Sequence, residues 1–200
     1  MKRNFKRVCV YCSSSDEVDP VYFEAARALG ALLAQRSMGV VFGGGRVGLM
    51  GAVANGALEA GGEVFGVIPE RLMELELGHQ GLTALDVVPG MHERKQRMAD
   101  LSDAFIALPG GVGTLEELFE AVTWSQLNFH LKPVGLLNVA GYYDHLLAFF
   151  ETAIQQRFVR PIHRNLLIDD IDAARLLERL AVADIPKIES WLSRRDEPLA

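Results

Sequence analysis

The stretch Ala104–Trp124, "AFIALPGGVGTLEELFEAVTW", decides how the rest of the chain is read. It opens with an unbroken apolar run, turns through a proline and three glycines, and continues with Leu115, Leu118, Phe119 and Val122 at i, i+3, i+4, i+7 spacing. A short apolar strand, a glycine turn and an amphipathic helix make the first half of a βαβ unit. The four apolar helix positions are expected to lie against a sheet. Trp124 then falls on the opposite side of the helix, where so large a ring needs cover.

The same alternation runs outward in both directions. Strands are expected at "RVCVYC", "GVVFG", "EVFGVIP", "ALDVVP", "AFIALPG", "PVGLLNV" and "NLLIDD". Helices are expected near Pro20 to Gln35, Leu49 to Ala60, His92 to Leu101, Leu115 to Asn128 and Tyr142 to Phe158, with a last helical region from Asp172. Strands this apolar are covered on both faces, which predicts an α/β fold: a Rossmann-like, doubly wound, mainly parallel sheet with helices on both faces. One domain spanning residues 1–200 is expected, with "SRRDEPLA" as a frayed tail. Ligands of such folds gather at the strand C-terminal ends. Three of these ends are unusual: "CSSS", "GGGRVGLMG" and "PGGVGT".

With 200 residues, half of them hydrophobic, the chain can bury a full core. No apolar run is long enough to cross a bilayer and the N-terminus reads as a strand, so a cytoplasmic protein without membrane contact is expected. The net charge of −6 speaks against a broad nucleic-acid surface but leaves room for a small basic pocket. Cys9 and Cys12 form a C-x-x-C, yet they lie in a strand and the loop after it, so a buried strand cysteine and a loop cysteine are expected, not a redox pair. His79, His92, His130, His145 and His163 lack metal-site spacing, and no metal is expected.

Gly43, Gly45 and Gly48 fit G-x-G-x-x-G, but after the second strand instead of the first. The next strand ends at Pro69 where an acidic ribose ligand belongs, and Glu63 is at its wrong end, so no nicotinamide or flavin is expected. Close packing of the following helix accounts for the glycines, with Gly44 and Gly45 still able to approach a ligand. "GGVGT" lacks the lysine of a triphosphate loop and suits a monophosphate. Gly110, Gly111 and Gly113 would supply dihedrals closed to other residues, and the Thr114 hydroxyl a direct bond. Thr114-x-x-Glu117 equally matches a capping box. "MHERKQRM" concentrates Arg94, Lys95 and Arg97 near another strand end, either as a solvated helix face or as partners for phosphate, Arg94 in bidentate fashion.

"MHERKQRM" followed by "SDAFIALPGGVGTLEELFEAVTW" resembles the LONELY GUY (LOG) family of cytokinin riboside 5′-monophosphate phosphoribohydrolases. The resemblance extends through "VCVYCSSS", "VFGGGRVGLMGAVANGALEAGG", "GVIPERL", "HQGLT" and "KPVGLLNVAGYYDHLL", nearly the whole chain except its C-terminal end. It implies cofactor-free hydrolysis of the N-glycosidic bond of an adenosine-type nucleoside 5′-monophosphate, AMP or its N6-prenylated form, to base and ribose 5-phosphate. It also implies a homodimer; a symmetric partner helix is one source of cover for Trp124, and a neighbouring loop of the same chain is the other. The family motif assigns Gly110, Gly111, Val112, Gly113, Thr114, Leu115, Glu116 and Glu117 to the substrate site, with Glu117 catalytic and Glu116 more exposed. Arg94 becomes the other catalytic residue and Lys95 a phosphate contact; Glu76 and Thr123 are further contacts. Serine at position 13, where many relatives have glycine, could tighten the loop after the first strand. Two other functions fit these motifs less well: a non-catalytic nucleotide or molybdenum-cofactor carrier, and a nicotinamide oxidoreductase. No pyridoxal lysine context accompanies the older description of such chains as lysine decarboxylases.

Overall fold

The structure is a computed structural model that describes residues 2–75 and 78–187. Seven strands, β1 (Arg7–Tyr11), β2 (Gly39–Phe42), β3 (Val64–Pro69), β4 (Ala84–Val88), β5 (Ala104–Ala107), β6 (Val134–Leu137) and β7 (Leu167–Asp170), form one sheet in the order β4-β3-β2-β1-β5-β6-β7. Every pairing between them is parallel. Strand order changes direction between β1 and β5, and in an open parallel sheet that reversal leaves a crevice beyond the carboxyl ends.

Seven α-helices, α1 (Pro20–Gln35), α2 (Gly48–Glu59), α3 (Glu70–Glu74), α4 (Met91–Asp100), α5 (Val112–Gln126), α6 (Asp144–Gln155) and α7 (Ala173–Val182), and two 3₁₀ turns, Val139–Gly141 and Pro161–Leu166, complete the described fold. Alternate side chains of each central strand point to opposite faces. Val8, Val10, Val40, Phe42 and Ile106 join α1, α2 and α7 in one core layer. Cys9, Tyr11, Val41, Phe105 and Ala107 join α4, α5 and α6 in the other. This is the doubly wound arrangement that the apolar strands predict. The edge strand β4 departs from it: Ala84 and Val87 are exposed, no strand among the described residues pairs beyond β4, and Asp86 pairs with Arg97 at 2.6 Å.

Cys9 and Cys12 are both buried, unbridged and in opposite core layers, so they cannot act as a pair. Burial raises both thiol pKa values. No described helix is long and apolar enough to cross a membrane. The five-residue α3 went unpredicted because one turn carries no hydrophobic period.

Helix α5 differs most from expectation. It starts at Val112 with Gly111 as N-cap, so Thr114 is its third residue and Thr114-x-x-Glu117 is not a capping box. Its buried face is Thr114, Glu117, Leu118, Ala121, Val122 and Ser125, while Leu115 and Phe119 are half-buried at the margin. The helix is therefore rotated so that its buried stripe ends in two polar residues. Trp124 is half-buried and meets the His130 ring of its own chain edge-on at 6.4 Å.

Candidate active site

A cavity of about 500 Å³ fills the crevice at the strand-order reversal. It is lined by the loop after β1, by Gly43 and Gly45 after β2, by Arg94 of α4, and by Gly111–Thr114, Glu116 and Glu117 at the start of α5. Ile68, Leu72, Met50 and Met91 give it an apolar wall.

Arg94 is buried to 8% exposure, and its guanidinium is held from three sides. Nε donates to the Val67 carbonyl, Nη2 to the Gly43 carbonyl and Nη1 to Glu117 Oε1, each at 3.2 Å. Nη1 also lies 3.9 Å from Met91 Sδ, and a guanidinium has five N–H groups, so one on Nη2 remains for a ligand. Glu117, also 8% exposed, lies on the cavity wall. Burial raises its carboxyl pKa to about 6, against the opposing pull of Arg94. The glycine after β2 makes the arrangement possible: a Cβ on Gly43 would stand 1.7 Å from Arg94 Nη2. Close packing of α2 therefore does not account for this glycine. The required space belongs to an arginine.

The two glycine loops differ in what their amides can do. At the start of α2, Gly48 N–H already donates to Asp16 Oδ1 at 2.8 Å, and Leu49 N–H to the Ser13 carbonyl at 3.0 Å. That helix terminus is capped from within the chain, leaving no berth for a pyrophosphate. Ser13 fits there outside the left-handed region, and its amide donates to the Pro109 carbonyl. At the start of α5 no side chain caps the helix, and Gly111, Val112 and Gly113 are exposed at the cavity. Free N–H groups and the helix dipole favour an anion at such a terminus. None of Gly110, Gly111 and Gly113 has a positive φ, contrary to the expected reason for glycine. Gly110 is needed because a Cβ would meet Thr114 Oγ1 at 2.1 Å; at Gly111 and Gly113 the Cβ direction is open.

Several expected contacts lie elsewhere. Lys95 points away from the cavity to Glu116 Oε1 at 2.5 Å and Glu120 Oε1 at 3.0 Å. Against burial, which lowers its pKa, these bonds hold the ammonium above its usual value. Glu116 lines the cavity mouth, exposed but tied to Lys95. Gly44 faces Ile68 and Leu85 instead of the cavity, Gly110 lies beneath Thr114, and Leu115 packs against the core. Thr123 is exposed further along α5, its hydroxyl donating to the Phe119 carbonyl at 2.6 Å. Glu76 lies outside the described residues. The apolar wall went unpredicted, since Ile68, Leu72, Met50 and Met91 have no chemical signature in sequence. Among the described residues no group of three or more His, Cys, Asp or Glu is placed to hold a metal ion.

These features define a Rossmann-like α/β protein with an anion-ready helix terminus beside a buried arginine–carboxylate pair. A family model described as possible lysine decarboxylase matches residues 50–180. The chain is 48% identical over 179 residues to cytokinin riboside 5′-monophosphate phosphoribohydrolase LOG7 of Arabidopsis thaliana, covering 90% of this chain and 82% of that one. It is 46% identical to LOG1 of the same plant over 195 residues, 98% and 91% of the two chains. The molybdenum cofactor carrier protein of Chlamydomonas reinhardtii shares the fold, with a TM-score of 0.66 at 23% identity over 86% of this chain and 92% of that one. The chain belongs to the LOG family of cytokinin riboside 5′-monophosphate phosphoribohydrolases. Among the described residues no lysine lines the cavity, so the decarboxylase description finds no amine here to carry pyridoxal.

Proposed function

We propose that the protein hydrolyses the N-glycosidic bond of adenosine-type nucleoside 5′-monophosphates, AMP or N6-substituted AMP, releasing the base and ribose 5-phosphate without a cofactor. The observation that carries this reading is the Arg94–Glu117 pair, 3.2 Å apart, on the same cavity as the uncapped α5 terminus. The 5′-phosphate would sit on the α5 amides and the Thr114 hydroxyl. The apolar wall is left for the base.

Cleavage breaks the bond between C1′ and the base nitrogen, with the electron pair leaving on the base, while a water oxygen bonds C1′. Positive charge builds on the ribosyl ring in between. The Glu117 carboxylate stabilises that charge and takes a proton from the attacking water. Arginine stays protonated in proteins, so Arg94 binds the substrate and balances charge but donates no proton. The test is incubation with AMP and isopentenyl-AMP. Free base supports the reading; tight binding with no base released would make the protein a carrier.

A pH dependence follows. Glu117 must be ionised to act, and its carboxyl is raised to about 6, so kcat should fall about tenfold per unit below that value and level off above pH 7. The nucleotide phosphate itself titrates near 6, so the limb must be measured at saturating substrate. A kcat that stays flat from pH 5 to 8 would rule the base role out.

We also propose a cytoplasmic homodimer. The two buried free thiols suit a reducing compartment. Trp124 needs less outside cover than expected, but it lines an open groove between α4 and α5 near exposed Leu127 and Phe129. Light scattering should report twice the chain mass at micromolar concentration; a monomer there would exclude the dimer.

A further inference from the structure

We propose that Tyr142 is a positioning residue that orients the anion-binding loop from behind; this rests on the nucleotide reading above. The carbonyls just before the α5 amides are all taken within the chain, those of Leu108 and Gly110 by tyrosines that do not line the cavity. Tyr143 hydroxyl donates to the Leu108 carbonyl at 2.6 Å, Ser13 N–H to that of Pro109 at 3.3 Å, and Tyr142 hydroxyl to that of Gly110 at 2.7 Å. In a planar trans peptide the C=O and the next N–H point in opposite directions. Holding the Gly110 carbonyl toward Tyr142 turns the Gly111 N–H toward the cavity. The Leu108 carbonyl has no such effect, because Pro109 brings no N–H. Tyr143 is thus an anchor, and Tyr142 an aiming device.

The segment that delivers the two rings is built for that task. Ala140 and Gly141 both have positive φ, 52° and 72°, and alanine there is unusual enough to point to a function. Asn138 locks the turn, its Oδ1 accepting from Tyr143 N–H and its Nδ2 donating to Asp144 Oδ1, each at 2.7 Å. Tyr142 is further steadied edge-on by Tyr22 at 5.8 Å and by Tyr143 at 5.0 Å. It is 45% exposed and sits in a small recess of its own, so its burial in a core does not explain it.

Tyr142→Phe keeps the ring and removes only the hydroxyl. The whole chain is titrated with inorganic phosphate, AMP and adenosine, following the Gly111 amide by NMR and affinity by calorimetry. One lost hydrogen bond corresponds to roughly a three- to tenfold change, so phosphate and AMP should bind that much more weakly, with KM rising more than kcat falls. Adenosine binding should hold, and Tyr143→Phe should lower the melting temperature without matching the loss of phosphate affinity. Unchanged phosphate affinity in Tyr142→Phe, an equal loss for adenosine, or the same loss in Tyr143→Phe would each overturn the assignment. Wild-type protein that binds phosphate but not AMP would refute the nucleotide reading while leaving the role of Tyr142 standing. Wild-type protein that binds neither would refute both.

Discussion

Glu117→Gln should lower kcat by about 10²-fold or more while leaving AMP affinity intact, because the change removes a charge needed only as the ribosyl cation forms. Glutamine keeps an oxygen that can still accept from Arg94 Nη1, and Arg94 keeps its bonds to the Val67 and Gly43 carbonyls. The hydrogen bond survives but the counter-charge of buried Arg94 does not, so the fold should lose about 1.5–3 kcal/mol, less than if the side chain were removed. A carboxylate that held the ribose would be missed by AMP, but removing a negative charge near the phosphate works in the opposite sense. Thermal stability, AMP affinity and base release measured on one sample separate these effects. Wild-type turnover in the variant would remove Glu117 from the catalytic role, whatever the family.

The distinction matters because glutamate so near an anion site looks misplaced. Its repulsion of phosphate is offset by Arg94 at 3.2 Å and by the free amides of the α5 terminus. Burial keeps its charge effective at short range, and raises its pKa toward the pH at which it must act. Glu116, next to it in sequence, is neutralised by Lys95 instead. Adjacent glutamates thus differ in role because successive helix positions point about 100° apart.

Much of the fold was legible in the sequence because the seven strands are apolar runs separated by helical patterns, a signal that survives without partners. Helix α5 was legible as a helix but not in its rotation. Leu115 and Phe119 are as apolar as Leu118, and the buried face that carries Thr114 and Ser125 also carries Glu117, whose tertiary partner Arg94 no helical period reports. The site was less legible. Arg94 and Glu117 lie on different helices, and neither period nor charge pattern distinguishes Arg94 from Lys95; the family resemblance supplied the choice. The same limit applies to Gly43, whose G-x-G-x-x-G spacing suggests helix packing although its neighbour is a guanidinium from α4. Tyr142 acts through a backbone carbonyl, which no side-chain motif reports.

Gly43 supplies the last expected result. Gly43→Ala should lower turnover in the same direction as Arg94→Ala, although alanine adds one methyl group and touches no charge. The added Cβ would fall 1.7 Å from Nη2 and 2.9 Å from Cζ of Arg94, so the guanidinium must leave its cradle. Once displaced, it loses the Gly43 carbonyl and its alignment with Glu117, whose carboxylate is then buried without its partner. Breaking a buried pair by removing one partner costs ~3–5 kcal/mol of stability, which sets the scale of the stability loss in Arg94→Ala; Gly43→Ala should lose less, since the clash is with the far end of a side chain that can shift and still neutralise part of the charge. Both variants should weaken AMP binding as well as turnover, unlike Glu117→Gln, if Arg94 acts, as proposed, on the bound phosphate and on the developing cation's counter-charge together. Losing the pair should also push the Glu117 pKa further up, moving the acid limb of kcat to higher pH in both variants. A Gly43→Ala enzyme with wild-type kcat, AMP affinity and pH profile would mean that the guanidinium position is not what the site depends on.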